Sequence, residues 1–284
     1  MDQHQKVTVY SSESGLGRPI HLVRSMFADL INSRELAWRL FVRNFSAMYR
    51  QSLLGFVWAL VPPLLTALIW VFLNGQRIVN VEDPGIPYPA FVLTSVLLWS
   101  VFAQSLVTPI TSVLQGKSIL VKINFPRESL ILAGLLQVLF DFLVKVGLII
   151  AVLIIFDVRP AATAWLAPLG VFSLVILGTC LGMLLLPLGM LYTDIQRIIV
   201  AITPFWMLLT PVIYPTPHSA TATALNNFNP VAPLLSATRD WLFFGATDFT
   251  VPFLWITICA LLFLFCGMII FKIAMPIIIE RSGS

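Results

Sequence analysis

Charged residues are scarce in this chain of 284 residues. Asp, Glu, Lys and Arg together make up 11% of it, whereas they account for roughly 25% of a soluble domain. So few charges cannot cover the surface of a water-soluble globule, which argues against a globular enzyme. Apolar residues instead account for 58% of the chain, and this composition predicts an all-α polytopic membrane protein.

Cysteine and histidine are equally rare, with three residues of each. The cysteines lie in apolar runs, and the histidines lie far apart in the sequence. They are Cys180, Cys259 and Cys266, and His4, His21 and His218. Neither set has the spacing of a disulfide framework or a zinc site. We therefore expect no metal site. The further expectations are no resident cofactor, no catalytic residues and no nucleic-acid partner.

Long stretches without Asp, Glu, Lys or Arg indicate where the chain crosses the bilayer. A spanning helix needs about 20 apolar residues. The sequence predicts six spans, near 53–73, 89–114, 129–156, 165–190, 198–214 and 251–271. Residues 215–248 are rich in Pro, Thr, Asn and Ala. They predict one or two short re-entrant helices before the last span, and an ordinary external loop is the alternative.

The cations are unevenly distributed among the segments that join these spans. Six spans place both termini on one side of the membrane. If that side is cytoplasmic, thirteen Lys and Arg residues lie in cytoplasmic segments, and only Arg77, Arg159 and Arg239 lie outside. Because cytoplasmic loops carry the excess of basic residues, the sequence predicts cytoplasmic termini. No signal peptide is recognisable in residues 1–50.

The segment before the first span predicts an amphipathic helix at 34–50. Its polar residues form one stripe that includes Arg39, Arg43 and Arg50. We expect the helix to lie in the interface, with its apolar face toward lipid and its basic face toward headgroups or a partner. Lipid anchoring alone is the simpler alternative. The predicted parts are thus a cytoplasmic segment at 1–33, this helix, a transmembrane domain at 51–275 and a cytoplasmic tail at 276–284.

Gly116, Lys117 and Ser118, between the second and third spans, match only the end of a phosphate-binding P-loop. The full motif needs a glycine five positions before Gly116, where this chain has Thr111. We therefore reject a nucleotide site here. If the protein uses ATP, another subunit must hydrolyse it.

Asp141 and Lys145 are an intramembrane charge pair, four residues apart in the third predicted span. Each charge alone at the bilayer centre costs about 2.5–3.5 kcal/mol, and pairing reduces this cost. The pair predicts either part of a proton or ion path or, as we favour, a neutralised pair that faces protein or a polar cavity. In the fourth span, Gly178 and Gly182 predict close approach of a neighbouring helix.

The run at 49–64, YRQSLLGFVWALVPPL, resembles the opening of the membrane subunits of polysaccharide-exporting ABC transporters. The resemblance continues through FPRE at 125–128, YTDIQ at 192–196, TPVIYP at 210–215 and NPVAPL at 229–234. It covers roughly residues 30–275 in the order of the family, so it is more specific than any single motif. Thr193 departs from the family, which usually has Arg there.

This resemblance implies a six-helix subunit that dimerises into a channel and pairs with two ABC ATPase subunits, which bind ATP and Mg. It implies export of an undecaprenyl-linked polysaccharide, of the O-antigen or teichoic-acid branch, across the bacterial inner membrane. The segments expected to contact the ATPase include the amphipathic helix and the FPRE loop. Their residues are Arg39, Arg43, Arg50, Lys117, Lys122, Phe125, Pro126, Arg127, Glu128, Tyr192 and Asp194.

Aromatic residues make up 12% of the chain and suit either interface belts or a surface on which sugars stack. The candidates for a polysaccharide path are Trp58, Phe72, Phe102, Phe205 and Trp206. Two other classes of protein remain as alternatives. A secondary transporter or channel would depend on Asp141 and Lys145, and a membrane glycosyltransferase or acyltransferase would need His or carboxylates at a membrane face.

Overall fold

The computed structural model describes residues 19–50, 55–79, 81–120, 126–215 and 228–283. Every regular element in these ranges is a helix, which confirms the all-α prediction. The main helices are α1 (Pro19–Tyr49), α2 (Val61–Gly75), α3 (Tyr88–Leu120), α4 (Glu128–Ile155), α5 (Ala167–Leu191), α6 (Asp194–Leu209), α7 (Val231–Phe243) and α8 (Thr250–Gly283). Short 3-10 helices precede α2 at Gly55–Ala59 and α5 at Ala164–Leu166.

Five segments of the described chain are long and apolar enough to cross a membrane. They are Val57–Gly75, Tyr88–Gly116, Glu128–Ile155, Ala164–Leu191 and Thr250–Met275. These segments match five of the six predicted spans within a few residues. The remaining predicted span, 198–214, corresponds to α6, which has 16 residues and is followed by the break at Thr210. The count of six spans therefore stays a prediction.

Helix α5 lies in the centre of the fold and packs against α3, α7 and α8. Glycines bring its backbone close to α3: Gly178 lies against the Phe102 carbonyl, and Gly182 lies against the Leu106 carbonyl. A side chain at either position would collide with this backbone. The close helix approach expected from these two glycines is therefore present.

The glycine contacts also give the relative direction of the helices. Along α5, Gly178 and then Gly189 meet Phe102 and then Ile110 of α3, so α3 and α5 run parallel. Helix α4 returns antiparallel to them, because Gly116 near the end of α3 lies against Leu130 at the start of α4. The start of α4 and the ends of α3 and α5 thus share one end of the helix bundle, which we call end A.

The other end of the bundle, end B, contains the start of α3 and the whole of α7. The Tyr88 hydroxyl donates a hydrogen bond to the Ile213 carbonyl, at 3.0 Å. The backbone N–H of Ala161, in the turn after α4, donates to the Leu242 carbonyl of α7, at 2.9 Å. Residues 231–239 are all buried, so this part of 215–248 is a packed helix. Residues 216–227 lie outside the described residues, and the re-entrant arrangement stays a prediction.

Helix α1 begins at Pro19, well before the predicted start at residue 34. The sequence predicts that its whole apolar side faces lipid, but part of that side packs against protein. Phe41 is buried, and Phe45 packs edge-on against Phe140 of α4, with ring centroids 4.5 Å apart. Trp38 and Met48 remain exposed. The prediction is corrected accordingly: α1 packs along α4 of its own chain and leaves only part of its apolar surface for other contacts.

Candidate functional site

The described parts of the α3–α4 connection and of the α5–α6 corner lie at end A, whereas the basic residues of α1 lie further along α4, because Phe45 packs against Phe140. Helix α3 extends to Leu120. The side chain of Lys117 is not among the described parts of the chain, and Lys122 and Phe125 lie outside the described residues. Helix α4 begins at Glu128, close to the predicted start at 129. The Ser129 hydroxyl donates to the Pro126 carbonyl at 2.6 Å, which fixes the chain as it enters α4.

Arg127 and Glu128 are not free surface charges. Burial lowers the pKa of the Arg127 guanidinium, and the negative charge of Glu128 opposes this change. Arg127 stays charged, because an arginine pKa remains far above neutral pH. Glu128 is buried, attracted by Lys272 of α8 and repelled by Asp29 of α1. The end of the FPRE segment thus lies between three helices.

Asp29 and Lys272 form the most protected ion pair among the described residues. The Lys272 ammonium lies 2.8 Å from an Asp29 carboxylate oxygen, and both side chains are largely buried. The pair joins α1 to α8 beside Glu128, at the start of α4. Sequence analysis missed it because the two residues are 243 positions apart, and no local pattern connects them.

The basic stripe of α1 is exposed in the described chain. Arg39 pairs with Glu35 at 2.7 Å, and Arg43 donates to the Asn44 side chain at 3.0 Å. Arg50 is also exposed. Exposed pairs of this kind contribute about 0–1 kcal/mol, so these guanidinium groups are readily available to acidic partners.

Tyr192 and Asp194 lie at the corner between α5 and α6, at end A. Tyr192 is exposed, and the Asp194 carboxylate accepts from Arg197 at 3.3 Å, in an exposed pair. Asp194 is the first residue of α6, where a negative charge is favourable next to the helix N-terminus. This corner adds a second exposed surface to the end that holds the α3–α4 connection.

The candidate path aromatics divide into exposed and buried residues. Trp58, Phe72 and Phe205 are exposed, and Phe205 is the most open of the three, at 70%. Phe102 is fully buried at 0%, so it does not reach any surface of the single subunit. Its ring packs edge-on against Trp206, at 5.2 Å, and helps to fix α6 on α3. Trp206 itself is partly buried.

Asp141 and Lys145 do not form an ion pair in the structure. The Asp141 carboxylate accepts a hydrogen bond from Gln137, at 3.1 Å. Lys145 is fully buried, and its ammonium has no hydrogen-bond partner among the described residues. The expected direct ion pair across one helical turn is therefore corrected: the two charges interact electrostatically but are not in salt-bridge contact.

Two polar residues at end B were not assigned any role from the sequence, although both lie in packed parts of the fold. Arg239 of α7 is 3% exposed, and Asn229, just before α7, is buried. The sequence predicts Arg239 to be an external cation, whereas it is buried in α7. Asn229 lies in the quoted NPVAPL run, which was the one signal that pointed to this region.

Comparison with known proteins gives a consistent assignment. The ABC-2 type transporter family matches residues 35–243. An O-antigen export system permease protein RfbA of Klebsiella pneumoniae is 24% identical over 218 residues, covering 76% of this chain and 83% of that protein. The RfbA protein of Myxococcus xanthus, with the same description, is 27% identical over 197 residues, covering 69% and 73%. The family match covers more than half of the chain and agrees with the helical membrane fold. The chain therefore belongs to the ABC-2 type transporter family.

Proposed function

We propose that the chain is the channel-forming permease subunit of an ABC exporter for a lipid-linked polysaccharide of the O-antigen type. It would act as a homodimer in the bacterial inner membrane, with both termini cytoplasmic. Two ATPase subunits would bind and hydrolyse ATP, and the permease itself would be non-catalytic. The observation that carries this proposal is the similarity to O-antigen export permeases over 69% to 76% of the chain.

The arrangement at end A supports the coupling part of the proposal. A permease without a nucleotide site can respond to ATP only through rigid elements that touch its partner. The start of α4 is fixed by Pro126 and by the buried Glu128, and α1 is tied to α8 beside it. A force applied to the α3–α4 connection would therefore reach α1, α4 and α8 together.

The exposed aromatics support the transport part of the proposal. A long polymer must be held loosely, and an aromatic face suits the C–H face of a sugar ring better than fixed charges do. Trp58 and Phe72 lie on or before α2, and Phe205 lies on α6; all three are exposed within this single chain. They are available to line a path completed by the second copy.

Copurification with an ATPase is the first test. The tagged chain, expressed with its neighbouring genes, should retain a subunit that contains a complete P-loop, and export of surface polysaccharide should require both proteins. Transport of ions by the purified chain alone would instead favour the secondary-transporter alternative, which depends on Asp141 and Lys145.

Substitution at the α3–α4 connection tests the coupling role. Arg127→Ala and Phe125→Ala should leave the subunit inserted and dimeric but reduce stimulated ATPase activity and stop export, because aromatic and Arg anchors dominate many interfaces. The matched control is Phe228→Ala, which truncates a fully exposed aromatic next to α7. It should leave ATPase binding unchanged. Full export and unchanged partner affinity in the Arg127 and Phe125 variants would remove this loop from the mechanism.

A further inference from the structure

Arg239 is a buried cation whose contacts come from two other parts of the chain. Its Nη1 donates to the Pro211 carbonyl at 2.8 Å and to the Ser95 hydroxyl at 3.4 Å. Its guanidinium lies over the ring of Phe91, 4.2 Å from the ring centroid. These contacts connect α7 to α3 and to the break that follows α6. A buried charge is costly unless its contacts are retained, so they favour one arrangement of the three segments.

Asn229 makes a second connection between the same segments. Its Nδ2 donates to the Thr210 hydroxyl at 2.8 Å, and its Oδ1 accepts from the Trp206 indole N–H at 3.1 Å. The same Oδ1 accepts from the backbone N–H of Val231 at 3.1 Å. One buried side chain thus binds the end of α6 and one of the unpaired N–H groups at the start of α7.

The chain segment after α6 depends on these side chains for its hydrogen bonds. Thr210 has an extended backbone, so α6 ends there. The carbonyls of Pro211 and Ile213 accept from Arg239 and from the Tyr88 hydroxyl. In apolar surroundings a backbone carbonyl without a partner is expensive. We call Tyr88, Ser95, Thr210, Asn229 and Arg239 the Arg239 junction.

We infer that Arg239 and Asn229 are positioning residues for export: they hold α7 and the end of α6 on α3 as one unit, which stays together while the polymer passes. The inference deepens the proposed function and rests on it. Helix α6 needs such a support because most of its side chains are exposed. The junction would fix the position of Phe205, on the exposed side of α6, relative to the rest of the subunit.

Whether α6 and α7 move as one unit is tested by measuring the distance between spin labels on the two helices, in the full complex with its ATPase. Spin labels replace Leu209, at the end of α6, and Phe244, directly after α7; both side chains are exposed. Native cysteines are first replaced, and each dimer contains one labelled subunit. We expect the same distance without nucleotide and with trapped ATP. A shift of the wild-type distance on trapping would overturn the rigid unit.

The role of Arg239 is tested in the same system with Arg239→Gln. This change keeps a donor but removes the charge and shortens the side chain. We expect a broadened label distance and a several-fold fall in surface O-antigen in cells whose only copy is the variant, at unchanged amounts of assembled complex. An unchanged distance, or full export despite a broadened one, would overturn the inference.

Two further comparisons keep these outcomes separate from other failures. If Arg239→Gln does not assemble, Arg239→Lys takes its place. Lysine retains the charge and one hydrogen bond to Pro211 but cannot reach both acceptors. Arg239→Lys should therefore broaden the label distance less than a full loss of the charge would, and it should retain part of export. If the unmodified chain neither binds an ATPase nor supports surface polysaccharide, the proposed function fails. The nucleotide-free comparison of Arg239→Gln with the unmodified chain still tests the junction in that case.

Discussion

At the scale of single residues, the buried charges of this protein fall into different classes. Lys272 is paired with Asp29, and Arg239 is held by a carbonyl, a hydroxyl and an aromatic ring. Lys145 is buried without a hydrogen-bond partner among the described residues. A buried ammonium group without a hydrogen bond loses its hydration, and the attraction of Asp141 offsets only part of that free-energy cost.

Lys145→Met should therefore leave the subunit at least as stable as the unmodified chain. Replacing a whole buried ion pair by apolar residues is often neutral or stabilising; Lys145→Met breaks no salt bridge, because Lys145 has none among the described residues, and Asp141 keeps its hydrogen bond from Gln137. Thermal unfolding of the purified complex should shift upward or stay unchanged, with export retained. The matched control is Lys272→Met, which leaves Asp29 unpaired and should lower the unfolding temperature. Loss of export in a well-assembled Lys145→Met complex would give Lys145 a transport role.

At the scale of helices, the contact between α3 and α5 depends on glycine. A Cβ atom at Gly178 would lie 2.7 Å from the Phe102 carbonyl oxygen, which is closer than any real contact of this type. The backbone of α3 cannot give way as a flexible side chain could. The two helices must move apart if any side chain is added here.

Gly178→Val should consequently reduce the amount of folded subunit in the membrane. Overpacking in a tight core costs about 1–3 kcal/mol, and collision with backbone should put the cost at or above the upper end. Gly147→Val in α4 is the matched control, because a Cβ at Gly147 meets nothing within 4 Å. The amount of monodisperse protein after detergent extraction, measured by size-exclusion chromatography, should fall for Gly178→Val and not for Gly147→Val. Equal yields would contradict the close α3–α5 packing.

A second prediction at this scale concerns the ion pair that ties α1 to α8. A double-mutant cycle of Asp29→Asn and Lys272→Met should give a coupling free energy of about 1–3 kcal/mol, because contacting groups in one protected network couple by 0.5–3 kcal/mol. The same cycle for Glu35→Gln and Arg39→Met should give about 0.5 kcal/mol or less, because that pair is exposed. Thermal unfolding of the four variants in each cycle provides the measurement. Equal coupling energies would show that burial does not strengthen the Asp29–Lys272 pair.

At the scale of the whole molecule, the two ends of the bundle differ in what they present. End A contains Arg127, Arg197 and Lys272, together with Tyr192 and Asp194. End B contains the α2–α3 connection with Glu82 and Asp83, which are exposed, and the buried α7. The sequence-based prediction, in which the Lys and Arg residues concentrate in cytoplasmic segments, makes end A the cytoplasmic side.

The two ends should therefore differ in labelling from outside the cell. After replacement of the native cysteines, Glu82→Cys should react with an impermeant maleimide in intact cells. Arg197→Cys, on the exposed side of α6 near end A, should react only after the membrane is opened. Both positions are well exposed, so a difference in reactivity reports topology and not burial. Reaction of Arg197→Cys from outside would contradict the orientation.

The sequence alone determined the class of protein and most helix positions. Few charges and long apolar stretches indicate that the chain lies in a membrane. Because a spanning segment must satisfy its own backbone hydrogen bonds there, the all-helical fold and five spans follow directly. Pro126 and Glu128 mark the start of α4 by local chemistry, which acts over a few residues and needs no tertiary contact. The ordered family motifs also identified the family, which the match over 35–243 confirmed.

Only the tertiary structure decided which side of each helix is buried. In a membrane helix the lipid-facing and protein-facing sides are both apolar, so the periodicity that separates them in soluble helices is weak. For this reason the sequence could not distinguish the buried Phe102 from the exposed Phe205, or anticipate that α1 packs on α4. The Arg239 junction and the Asp29–Lys272 pair join residues far apart in the chain, and such contacts exist only once the helices have packed.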